Sequence, residues 1–121
     1  MDHDDNEIEI EPKLPHHYLK AWQAVKDLAA AVKAAGITDP QLREQAMKAA
    51  KNACLNTCEG SAKKTSQQDG RRVFGIARGE AGEAAGAVEV AVLLGSAAPG
   101  VDKRVNRLAF IAVNLLGGLA R

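Results

Sequence analysis

Aromatic side chains are nearly missing from this sequence: one Trp, one Tyr and two Phe, 3% of 121 residues. Reading single-stranded bases by stacking needs a platform of such rings, so stacking is excluded as a main mode of nucleic-acid contact. Cysteine is limited to Cys54 and Cys58, four positions apart. Two thiols make no disulfide framework, and Cβ vectors one helical turn apart suit a disulfide poorly. Reduced, small buried thiols in a tight helix contact are the simpler reading. Joined by His16 or His17 they would still be too few for a zinc site, which takes four ligands. No metal and no cofactor are expected.

Histidine is confined to His3, His16 and His17, all in the first 17 residues. The body therefore lacks a nucleophile with a base beside it, and no glycine loop follows a strand in the way a phosphate cradle requires. The chain is not expected to be an enzyme. No run of 18 apolar residues exists, so no membrane span is expected. The opening segment, MDHDDNEIEIEP, is acidic and lacks the apolar centre of a secretory signal. A cytoplasmic protein follows as the expectation. Strand-like alternation occurs only among residues 7–11.

Alanine, the strongest helix former, supplies 23 residues. The fold class is all-α. A net charge of +1 hides an uneven distribution. Residues 1–12 hold six acids and no Lys or Arg, whereas the rest sets 16 Lys and Arg against nine acids, a balance of +7. Residues 1–15 read as a flexible acidic N-terminal tail, either solvated or docked along the body. Residues 16–121 read as one domain of four helices.

The first helix is expected over 16–35, with Tyr18, Trp22, Val25, Ala29 and Val32 stepping by 4, 3, 4 and 3 as a buried seam, and Gly36 stopping it. Asp39 caps the second helix and Pro40 suits its first position. Leu42, Ala46, Ala49 and Ala53 form its seam, and it is expected to end before Gly60. Ser66 reads as the cap of the third helix, with Asp69 as its reciprocal partner. That helix, 67–94, carries Phe74, Ala77, Ala81, Ala84, Val88 and Ala91 inward. One position over lies a stripe of Gly75, Gly79, Gly82 and Gly86. Four interior glycines cost a helix on the order of 3–4 kcal/mol, so either another helix backbone approaches closely there or the helix breaks. Residues 95–100 form a turn, and the fourth helix follows from 101 or 102 with Val105, Leu108, Ala112, Leu115 and Leu119 inward, fraying at Gly117-Gly118.

Short turns between four such helices predict an antiparallel up-down-up-down four-helix bundle. Apolar residues off the seams remain on the last two helices: Val90, Val92 and Leu93, then Phe110, Ile111, Val113 and Leu116. One core cannot use apolar residues all around a helix, and the excess predicts a homo-oligomer with a subunit interface formed largely by these two helices.

Lys48, Lys51, Lys63, Lys64, Arg71, Arg72 and Arg78 fall between positions 45 and 79 against only Glu59 and Asp69, a balance of +5. The turn between the second and third helices is expected to make one electropositive end, attractive to RNA or DNA phosphates without sequence preference, or simply a solvated face that meets a protein partner.

Three motifs carry a family resemblance. Leu19-Lys20-Ala21-Trp22-Gln23, Lys48-Ala49-Ala50 followed by Asn56-Thr57-Cys58-Glu59-Gly60-Ser61, and Ile76-Ala77-Arg78-Gly79-Glu80-Ala81-Gly82-Glu83 together resemble the bacterial four-helix bundle proteins encoded in intervening sequences of large-subunit ribosomal RNA genes. The match covers residues 16–120 in order. Cys58 stands where that family has Ala, Glu80 where it has Ser, and the long aliphatics of its third helix are here Ala and Gly. The resemblance implies assembly as a ring, a pentamer, and gives Trp22, Asn56, Glu59, Gly60, Gly79 and Glu83 structural roles. It also implies kinship with accessory proteins of diversity-generating retroelements, which bind nucleic acid and a reverse transcriptase.

Overall fold

The computed structural model describes residues 11–63 and 67–121. Among the described residues the chain forms four α-helices and no strand: α1 (Lys20–Ala34), α2 (Pro40–Ala62), α3 (Gln67–Leu93) and α4 (Val101–Leu119), preceded by one 3-10 turn, Pro15–Tyr18. No helix is long and apolar enough to cross a membrane.

Local chemistry sets most boundaries. The Asp39 carboxylate accepts from the amides of Gln41 at 2.9 Å and Leu42 at 3.0 Å, and Pro40 opens α2 where its missing N–H costs nothing. Gly36, Gly95 and Gly100 take positive φ values of 66°, 80° and 93° in the turns, a conformation glycine adopts without a Cβ penalty. The cap expected at Ser66 lies outside the described residues, as do Lys64 and the first ten residues of the tail.

Three boundaries differ from the expectation. Leu19 is extended, with φ −92° and ψ 131°, so Pro15–Tyr18 is not continuous with α1. The helical phase that would carry Tyr18 inward is lost, and its side chain is 73% exposed. The second helix runs through Gly60 to Ala62, and α4 runs through Gly117-Gly118 to Leu119. The third helix does not break at its glycines.

Each helix packs on the next, and α4 closes on α1. The core holds Val25, Leu28, Val73, Phe74, Val88, Val105 and Leu116, set among alanines from all four helices. The seam of α3 is buried as expected from Phe74 to Ala91. In α4 the buried set is Val105, Ala109, Ala112 and Leu116, while Leu108, Leu115 and Leu119 are only partly buried against the core. Thr57 is fully buried, and its hydroxyl donates to the Ala53 carbonyl at 2.7 Å, so it enters the core without an unmet polar group.

Two of the turns are bonded to one another. Thr38 donates its amide at 2.8 Å and its hydroxyl at 3.2 Å to the Ser96 carbonyl, tying the α1–α2 turn to the α3–α4 turn. At the other end Pro15, Leu19, Gly60, Phe74 and Leu119 line one hollow.

Among the glycines, the tight helix contacts are not at the stripe. A Cβ on Gly60 would fall 2.9 Å from Phe74 Cδ1 and Cε1, and one on Gly70 would fall 3.2 Å from the Gly60 carbonyl oxygen. These two glycines let α2 and α3 meet. At Gly79, Gly82 and Gly86 an added Cβ would have nothing within 4 Å, and at Gly75 only Ala120 Cβ at 4.0 Å. Within one chain no helix covers that stripe, contrary to the close approach expected from the sequence.

Candidate functional site

The basic residues singled out in the sequence fall into three places. Lys63, Arg71 and Arg72 stand at the α2–α3 end, around a hollow of about 340 Å³ that Lys63, Gln67, Gly70 and Arg71 line with Phe74 and Leu119. Two acids share this end. Lys63 Nζ lies 3.5 Å from Asp69 Oδ2 and 3.7 Å from Glu59 Oε2. Arg72 donates from Nη2 at 3.1 Å and Nε at 3.2 Å to Asp69 Oδ1. The Arg72 hydrogen bonds, with the Lys63 and Arg72 charges, hold the Asp69 carboxyl below its usual range. Arg71 donates to the neutral Gln67 side chain at 3.4 Å. Three cations against two carboxylates leave the described part of this end far less positive than the bare residue count implies.

Lys48 and Lys51 are exposed on the outer side of α2. At 1.5 Å of rise per residue they stand about 22 and 18 Å along the helix from Lys63, beyond the screening length of physiological salt. Arg78 lies along the α3–α4 seam, where its Nε would be 3.4 Å from a Cβ on Gly117. The structure therefore does not gather the six described residues of this set into one patch.

The motif residues are mostly local. Asn56 donates to the Asn52 carbonyl at 2.9 Å inside its own helix, and Glu59 pairs with Lys63. Trp22 is half-buried, with the His16 ring edge-on at 4.6 Å and Lys26 Nζ 5.5 Å from its centroid. Gly60 makes the close approach to Phe74. Gly79 and Glu83 are exposed on α3. Cys54 and Cys58 are free and half-buried. Cys54 Sγ lies 3.5 Å from the Val25 carbonyl oxygen, and burial raises both thiol pKa values above the ordinary range.

A second set of exposed residues is apolar. On α3 and α4 the exposed large apolar side chains are Ile76, Val90, Leu93, Phe110 and Ile111, with Leu93 79% and Phe110 68% exposed. Sequence reading foresaw the apolar excess but placed Leu116 in it, and Leu116 is fully buried in the core. It missed the charges that frame this surface. Lys103, Arg104 and Arg107 are exposed on α4, whereas Glu83 and Glu89 are exposed and Glu80 is half-buried on α3. Their signal in the sequence is three cations within five residues, 103–107.

No protein-family model matches this chain, and no curated protein matches it either.

Proposed function

We propose that this chain is a non-catalytic subunit of a homo-oligomer, and that its work is done by the assembled particle. The observation that carries the reading is the uncovered apolar surface of α3 and α4, beside a stretch of α3 backbone left bare by glycine. Large apolar side chains left exposed on two neighbouring helices point to an interaction site. A buried Phe covers roughly 150–250 Å², so covering the exposed two-thirds of Phe110 alone contributes about 3 kcal/mol at ~25 cal/mol per Å².

The finer architecture we propose is antiparallel and up-down-up-down. It is supported by the short turns and by the Thr38–Ser96 tie between the first and third of them. The motifs around Trp22, Asn56–Ser61 and Ile76–Glu83 support membership of the ribosomal-RNA intervening-sequence bundle family and a pentameric ring, and the two free cysteines support a cytoplasmic setting. Light scattering on a size-exclusion column tests the reading: the chain elutes as a multimer and Phe110→Asp lowers its mass, whereas an unchanged monomeric mass for both defeats it.

A second reading, weak binding of RNA or DNA without sequence preference, is favoured by Lys48 and Lys51, which are exposed without an ion-pair partner among the described residues, and by Lys63 and Arg71 at the mouth of the end hollow. Such binding would let the particle hold a nucleic acid for a reverse transcriptase or another protein. Anisotropy of labelled oligonucleotides should then show log affinity falling with log salt, with a slope of about −3 to −4 for four contacts. Absence of binding near ~50 mM salt refutes it.

A further inference from the structure

The outer faces of α3 and α4 carry opposite charges in matching order. On α3, Ile76, Glu80 and Glu83 follow one another at spacings of 4 and 3; on α4, read backwards, Ile111, Arg107 and Arg104 also follow at 4 and 3. Residues so spaced share one helical face. Both isoleucines are exposed, at 43% and 49%. Glu83, Arg104 and Arg107 are exposed and Glu80 half-buried. None of the four charged groups has an ion-pair partner among the described residues.

Resting on the self-association reading, we propose that the occupant of the α4 face is a second copy of this chain, seated on its α3 face with the two helices antiparallel. Ile111 then lies level with Ile76, Arg107 with Glu80 and Arg104 with Glu83. Steps of 3 and 4 residues correspond to about 4.5 and 6 Å on each helix, so all three levels coincide. The glycines explain how the helices come close enough. Gly79, Gly82 and Gly86 run beside the acidic stripe, and an added Cβ at any of them would have nothing within 4 Å. Phe110, next to Ile111, has bare backbone to lie against.

Charge decides against the alternatives. Pairing α4 with α4 would bring Arg104 and Arg107 towards their own copies, and pairing α3 with α3 would do the same with Glu80 and Glu83. Like charges brought together at an interface cost several kcal/mol. The favoured contact joins two different surfaces, so each copy keeps one free face of each kind. Such head-to-tail contacts generate a ring when the rotation closes.

Charge reversal tests the pairing in the full chain. Arg104→Glu with Arg107→Glu, and separately Glu80→Arg with Glu83→Arg, should each weaken association ~100-fold or more, read by sedimentation with helicity checked by circular dichroism. Combining all four substitutions restores the opposite-charge pairs and should return assembly to within about tenfold of the parent chain. If both reversed variants keep the parent's multimeric mass, the pairing is wrong while self-association stands. If each reversal dissociates the protein but the combination does not reassemble, the pairing is equally overturned. A monomeric parent chain removes the self-association reading itself.

Discussion

One substitution made at two glycines should move stability in opposite directions. Replacing a mid-helix glycine with alanine removes a backbone penalty of about 0.8–1 kcal/mol. At Gly79 nothing opposes that gain, because an added methyl meets no atom within 4 Å. At Gly60 the methyl would fall 2.9 Å from two carbons of the Phe74 ring. Phe74 is itself buried, and the nearby Gly60 carbonyl is held against Gly70, so neither side yields freely. Overpacking of this kind costs roughly 1–3 kcal/mol, which exceeds the helix gain. Gly79→Ala should therefore stabilise the isolated subunit by about 0.5–1 kcal/mol, and Gly60→Ala should destabilise it by about 1 kcal/mol. The variants then differ by roughly 2 kcal/mol, or on the order of 8 °C in Tm for a domain of this size. Thermal melts followed by circular dichroism, in protein dilute enough to dissociate any oligomer, measure the difference. Gly60→Ala melting at or above the Gly79→Ala variant would refute the placement of Phe74 over Gly60. Loss of stability at Gly79 under dilution would mean that the α3 stripe is covered within the chain.

Two further predictions follow from the caps and the charged end. Asp39→Ala removes the acceptor for the Gln41 and Leu42 amides and should lower unfolding free energy by about 1 kcal/mol, seen as a shift in the urea midpoint without a change in slope. Asp69→Asn should lower the urea midpoint at neutral pH, because the folded protein holds the Asp69 carboxyl below its usual range through Arg72 and Lys63. A depressed carboxylate stabilises above its unfolded pKa and loses that contribution as pH falls through the folded value, so the gap should begin to close below the ordinary aspartate pKa of about 3.9 and vanish only below the lowered folded value. A gap that persists at low pH would mean that Asp69 acts by shape rather than charge.

The sequence made the fold readable where a single helical stripe was unambiguous. From Phe74 to Ala91 every seam residue is buried, because before Val90 the large apolar side chains of α3 lie on or beside that one stripe, apart from Ile76. Asp39 and Pro40 marked a boundary by local chemistry alone, and α2 starts there. Helix α4 was ambiguous because apolar residues occupy too many of its positions. Packed on both α1 and α3, it uses a broad face centred on Ala109 and Leu116, and Leu108 and Leu115 fall at its edges. Tyr18 misled because 3.6-residue periodicity cannot reveal that Leu19 is extended and resets the phase.

The glycines show a different limit. Spacing grouped Gly75, Gly79, Gly82 and Gly86, but the close contact belongs to Gly60 and Gly70, which pair across two helices and leave no periodic trace. The basic cluster was legible as composition and not as geometry. Two helices carry its members out of one another's range, and Glu59 and Asp69 neutralise part of it.

Everything functional in this account depends on the bundle being a subunit. Sedimentation equilibrium of the full chain at tens of micromolar measures that directly. The expected result is a particle of several chains, at about 64 kDa for five copies of the 12.8 kDa chain, that dissociates when Phe110 is replaced by Asp. A single species at 12.8 kDa, unchanged by that substitution, would contradict it.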